Sequence, residues 1–121
     1  MGRADPFARV RRTALALPEV SERLSHGAPS FFIRGSKCFV MCMNNHHEDA
    51  RIALWCAAPE GAQEELVADD PDSYFRPPYV GHRGWVGVRL DRDLPDAEVD
   101  ATVLAGYRAI APKRLLAQLD G

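Results

Sequence analysis

Cysteine is scarce in this sequence: only Cys38, Cys42 and Cys56. Three cysteines cannot complete a disulfide framework, so a reducing compartment is expected, with the cytoplasm as the expected location. No apolar run approaches about 18 residues, which excludes a membrane-spanning helix. Residues 1–12 carry arginines but lack the apolar core of a secretory signal. Charge of one sign is also lacking. Fifteen basic and 17 acidic residues leave a net charge of −2, so no global attraction draws the chain to nucleic acid or to a membrane. There is no internal repeat and no low-complexity tract. Metal-ligand spacings of the C-x-x-C or H-x-x-x-H kind, a nucleophile elbow and a glycine-rich loop before a helix are all missing. The expectation is therefore no catalytic residue, no metal and no other cofactor.

What is present is the composition of one globular domain over residues 1–121, with 46% hydrophobic and 26% charged side chains. The charge is unevenly placed. Ala57 to Phe75 holds six acids and no base, whereas Arg76 to Leu90 holds three arginines and no acid. A basic face is thus compatible with an acidic chain, although solvated helices and turns account for the same pattern. Arginine outnumbers lysine 13 to 2, from which no function follows.

Asp5-Pro6 marks a helix start, and Phe7, Val10, Ala14 and Leu17 follow at helical spacing until Pro18. Ser21 to His26 is a short polar segment with the character of an edge strand. Strands are predicted at Ser30 to Ile33, Lys37 to Met43, Arg51 to Ala57 and Trp85 to Leu90, with turns at Arg34-Gly35-Ser36 and Asn44 to Asp49. Pro59 to Val67 reads as a short amphipathic helix with acids at its N-terminal end. Ala68 to His82, with Pro71, Pro77, Pro78 and Gly81, reads mostly as loop. Asp96 is expected to cap a long last helix bearing Val99, Val103, Leu104, Tyr107 and Ile110, restarted at Pro112. This order predicts an α+β two-layer sandwich: a mostly antiparallel sheet of about five strands with helices on one face.

Side chains alternate along a strand, so each strand sorts into two sets. Cys38, Val40 and Cys42, then Ile52, Leu54 and Cys56, then Val86, Val88 and Leu90, are small or aliphatic and are assigned to the helix-facing core. The other sets place Phe39, Trp55 and Trp85 beside Lys37, Arg51 and Arg89, with Arg83 at the nearby turn. Cations interleaved with aromatic rings suit phosphates and unpaired bases. Two alternatives compete: the loop from Ala68 to His82, with Tyr74, Phe75 and Tyr79, folds over this face, or a partner chain covers it. Lys113 and Arg114 form a second, weaker basic candidate on the last helix.

His46-His47-Glu48-Asp49 is the most metal-like cluster, but adjacent histidines point in different directions, and a solvated hairpin turn explains it. Cys38 and Cys42 lie about 13 Å apart along a strand, too far for a disulfide or a shared ion. They read as small buried hydrophobes. His26 and His82 are lone histidines near turns.

Several segments, in order, carry a family resemblance. They are Ala16-Leu17-Pro18-Glu19-Val20, Gly35-Ser36-Lys37-Cys38-Phe39, the run from Pro77-Pro78-Tyr79-Val80-Gly81 through Gly84-Trp85-Val86-Gly87-Val88-Arg89-Leu90-Asp91, Tyr107-Arg108, and Ala111-Pro112-Lys113-Arg114-Leu115. From about Phe7 to Leu115 the chain resembles the YjbR/MmcQ family of small bacterial proteins. The resemblance implies a fold similar to secretion chaperones and CyaY-like proteins. It also implies a DNA-binding role through a proposed pair of β-wings, and supplies no catalytic residues to carry over. The chain departs from the family pattern in its enlarged, His-rich turn and in Trp85, where many members carry His. With few basic contacts, nucleic-acid binding is expected to be weak and salt-sensitive. The alternative partner is a protein docked on the aromatic face, in a chaperone-like role.

Overall fold

The computed structural model describes residues 5–44 and 52–120. Helix α1 (Ala8–Leu15) is followed by strands β1 (Val20–Ser25), β2 (Ala28–Ile33), β3 (Lys37–Asn44) and β4 (Ile52–Cys56). Then come α2 (Ala62–Asp69), β5 (Tyr74–Phe75), a 3-10 turn (Gly81–Arg83), β6 (Val86–Arg89), α3 (Asp96–Ile110) and α4 (Lys113–Asp120). The strands form one six-stranded sheet, ordered β1-β2-β3-β4-β6-β5, in which every neighbouring pair is antiparallel. The α+β architecture is as expected. The sixth strand is β5, two residues long, inside the stretch read as loop.

Local chemistry explains the turns. Ser25 pairs with Ala28, leaving His26 (φ 53) and Gly27 (φ 82) as a two-residue turn with both central residues left-handed. That turn type follows the right-handed twist of the flanking strands. The turn therefore sits one residue earlier than Gly27-Ala28-Pro29 suggests. At the start of the chain the Asp5 carboxylate accepts the Phe7 N–H at 2.9 Å. Asp96 does not cap α3: the N-cap is Pro95, and Asp96 and Glu98 occupy the first turn, where the helix dipole favours acids.

One face of the sheet is closed by helices. Val10 and Ala14 of α1 and Val99, Val103 and Tyr107 of α3 share the core with Phe31, Val40, Leu54, Val86 and Val88, all buried. The Tyr107 hydroxyl donates to the Pro18 carbonyl at 2.8 Å, tying α3 to the α1–β1 connection. Arg11 grips Glu22 through two hydrogen bonds of 2.8 and 3.0 Å, tying α1 to the edge strand. Gly106 sits where α3 crosses the end of β4; a Cβ there would lie 2.6 Å from the Ala57 carbonyl oxygen.

The alternation assigned to β4 and β6 holds, but β3 does not keep one phase. Phe31 pairs with Val40 while Phe32 pairs with Cys38, so Phe39 is an extra residue in a β-bulge. Phe39 and Val40 are both fully buried. The Phe39 ring meets Tyr107 of α3 edge-on, with centroids 5.7 Å apart, and its carbonyl accepts the Ala57 N–H. Phe39 therefore belongs to the helix-facing core and not to the open face. Cys38 makes the reverse move.

Candidate functional site

The sheet face opposite the helix layer carries a groove of about 1120 Å³ that runs along the strands and is bordered by Ala109 and Ile110 at the end of α3. Its floor is formed by Met41 and Met43 of β3 and Trp55 of β4. Met41 pairs with Trp55 and Trp55 with Gly87, so these residues stand side by side across β3, β4 and β6. Phe75 of β5 pairs with Gly87, and its ring occupies the space a Cβ would need, 2.3 Å from that ideal position. Glycine at position 87 lets the ring close the outer edge of the face.

The wall is the segment between β5 and β6. Tyr79 follows Pro77-Pro78 and has φ 67, and the Val80 N–H reaches back to the Pro78 carbonyl at 2.6 Å. This is a γ-turn closed around a left-handed tyrosine, a rare and strained form for a bulky residue. Its ring leans on Trp55 at a centroid distance of 6.4 Å, yet Tyr79 is 73% exposed. Strain held at a groove edge is characteristic of ligand clamps. Below it, Gln63 of α2 is buried and donates to the carbonyls of Gly81 and Trp85, pinning the base of the wall.

The predicted site residues now separate. Trp55 and Trp85 line the groove but are only 5% and 4% exposed, so they form floor and wall and not an open stacking surface. The residue that presents a ring to solvent is Tyr79, treated in the sequence only as part of a covering loop. Lys37 lies exposed at the groove mouth, and Arg83 sets its guanidinium over the Trp85 ring at 5.3 Å. Arg89 makes two hydrogen bonds to Asp91, of 3.0 and 2.9 Å, and is neutralised by it. Lys113 and Arg114 open α4, and neither lines this groove. Arg51 and the His46-His47-Glu48-Asp49 cluster lie outside the described residues.

Two groups join the site that the sequence did not put there. Cys38, turned by the bulge, lines the groove, and its thiol donates to the Val40 carbonyl at 3.6 Å. Burial pushes this thiol up, with a smaller opposing pull from a backbone hydrogen bond with Val40 and from the positive charges of Arg23 and Arg83. Arg23 itself lies on the same face, stacked 3.7 Å from the Phe32 ring and donating to the Gly35 carbonyl at 2.7 Å. The strand pairing that sets Phe32 opposite Cys38 was the only signal that brings Arg23 here, and it is not visible in one strand alone.

The groove contains Lys37 and Arg83 and, among its described lining residues, no carboxylate. A second, shallower groove of about 740 Å³ between α2 and α3 has the opposite character: among its described lining residues it contains Glu65 and Asp69 and no cation. In a chain with 17 acids the segregation is physical information. The groove of the open face suits a ligand with a flat apolar body and negative charge. Among the described residues no three His, Cys, Asp or Glu side chains converge in a way that would hold a metal ion, and no helix is long and apolar enough to cross a membrane.

Comparison with known proteins bears on the fold. No curated protein matches the sequence. The structure resembles the crystal structure of Deinococcus radiodurans protein DR2400, described by the domain DUF419, with a TM-score of 0.72 and 19% identity over 87% of this chain and 78% of that one. At that identity the likeness speaks for the fold. The YjbR family model matches residues 15–109, from the end of α1 to the last turn of α3, and this chain belongs to the YjbR family.

Proposed function

We propose that this protein is a non-catalytic nucleic-acid-binding module that takes unpaired bases in the groove of the open face. The observation that carries the reading is the groove's make-up: aromatic and thioether surface at Trp55, Tyr79, Met41 and Met43, with Lys37 and Arg83 and no acid among the described lining residues. Bases stack on rings, and phosphates pair with cations. A duplex is too wide to bring its stacked bases to a floor 5% exposed, so single strands are the expected ligand. The few cations make binding modest and steeply dependent on salt, each phosphate contact contributing about 0.7 to the salt slope on a single strand.

The experiment is fluorescence anisotropy with labelled single- and double-stranded DNA at low salt. Single strands should bind more tightly, and Tyr79→Ala should weaken them by about 1–3 kcal/mol if one base stacks there. Absence of binding at high micromolar protein refutes the reading. A protein partner then becomes the better one. It has its own observation: Leu24, on the free edge strand β1, is 71% exposed, and an edge strand is a template for an added strand.

A further inference from the structure

The groove is polar along its length. At one end Arg23, Lys37 and Arg83 gather around Cys38: Lys37 precedes it in the chain, Arg23 is stacked on Phe32, which pairs with Cys38, and Arg83 acts on the same thiol. Arg23 and Arg83 each lie against an aromatic ring, which holds the planar guanidinium in place and leaves it ready for an anion. Neither these two arginines nor Lys37 has a carboxylate partner among the described residues. Towards Met43 the groove runs on for roughly 15 Å, at about 3.3 Å per residue of β3. That stretch is lined by Met41, Met43, Trp55 and Ala28, with Ser25 and His26 of the β1–β2 turn beside Ala28 and no lysine or arginine among the described lining residues. Arg89, farther along the same face, is held by Asp91.

A strand running through a groove presents a phosphate at every nucleotide and needs cations along the whole track. Among the described lining residues the lysine and the arginine belong to one cluster, followed by mainly apolar surface. A terminal phosphate monoester carries a charge of about −1.5 to −2 at pH 7, more than an internal diester, and suits such a cluster. We infer that the groove is built for a strand end: a terminal phosphate seats among Arg23, Lys37 and Arg83, and the first bases extend past Trp55 and Tyr79 towards Met41 and Met43. The inference rests on the nucleic-acid reading above and names the part of the strand that the site recognises.

The two tryptophans of the chain both line the groove, so intrinsic fluorescence reports its occupancy. The probes are six-nucleotide single strands with a 5′-phosphate, a 3′-phosphate or neither, and thymidine monophosphate. One of the two phosphorylated strands should bind about tenfold or more tightly than the unphosphorylated strand, the strength of an added charge-assisted contact. The double variant Arg23→Gln/Lys37→Gln changes exposed side chains and should bring the strands to within about twofold of each other. Arg12→Gln, on the helix layer, should preserve the difference. Equal binding of all three strands overturns the strand-end assignment and leaves the single-strand reading standing. Thymidine monophosphate binding as tightly as the preferred strand overturns it in favour of a free nucleotide. No fluorescence or anisotropy response to any strand overturns both.

Discussion

Replacing Gly106 by alanine tests the packing that holds the open face in shape. In the interior of an ordinary helix this change is stabilising by about 0.8–1.0 kcal/mol, because glycine loses more backbone freedom on folding. At Gly106 the new methyl would lie 2.6 Å from the Ala57 carbonyl oxygen and 3.4 Å from its carbon. The oxygen cannot swing aside as a flexible side chain would. Ala57 is 2% exposed, and its N–H donates to the Phe39 carbonyl at 2.9 Å, which fastens it to the bulge in β3. Relief requires α3 to lift off the sheet, and with it Tyr107, whose ring meets Phe39 and whose hydroxyl is bonded to Pro18. Overpacking of this kind costs about 1–3 kcal/mol. Against a backbone atom the upper part of that range applies, so the propensity gain is outweighed and Gly106→Ala is destabilising by about 1–2 kcal/mol. An unfolding entropy of about 2.1 cal/mol/K per residue, over a chain of this length, converts this to a fall in Tm of about 4–8 °C. The assay is thermal unfolding followed by circular dichroism, with exposed Ala101→Gly on the same helix as reference, expected to lose only the propensity of about 1 kcal/mol. An unchanged or raised Tm for Gly106→Ala would show that α3 does not sit against Ala57, and would refute the argument that the bulge is locked from the helix side.

Two further outcomes follow from the same structure. Burial raises all three thiols, Cys42 to about 12 and Cys56 strongly, and Cys38 alone lines the groove. A thiol reagent at pH 8 should therefore label one cysteine per native chain, more slowly than a free thiol, and three after denaturation; two native thiols reacting at equal rates would contradict the burial. The Arg89 guanidinium holds the Asp91 carboxyl below the usual carboxylate range. A lowered folded value means the stabilisation is present above the unfolded pKa of about 3.9 and is lost as pH falls through the folded value. The Tm gap between the native chain and Asp91→Asn should accordingly be open at pH 6 and narrow below about pH 4, and a gap independent of pH would dismiss the pair as a source of stability.

The antiparallel sheet, the helix layer and the inward set of β4 and β6 were all written in the sequence. Strand alternation and helix spacing are local periodicities, and burial of Leu54, Val88, Val103 and Tyr107 follows from them directly. The partner of Arg89 was also within local reach, two residues away at Asp91. Three features that define the site were not. The bulge at Phe39 inverts part of β3, and it exists because Phe31 and Phe32 take Val40 and Cys38 as partners, a register that belongs to two strands together. The burial of Trp55 and Trp85 was decided by Phe75 seating on Gly87 and by the turn at Tyr79, contacts made only after the segment between α2 and β6 folds back. The cation cluster is assembled from β1, β3 and the 3-10 turn, so its members are separated by 14 to 60 residues in sequence and meet only through sheet order. Periodicity reports which face a side chain prefers within one element, whereas register and chain reversal decide which elements supply that face. The groove is a product of the second kind, and only the tertiary structure determined it.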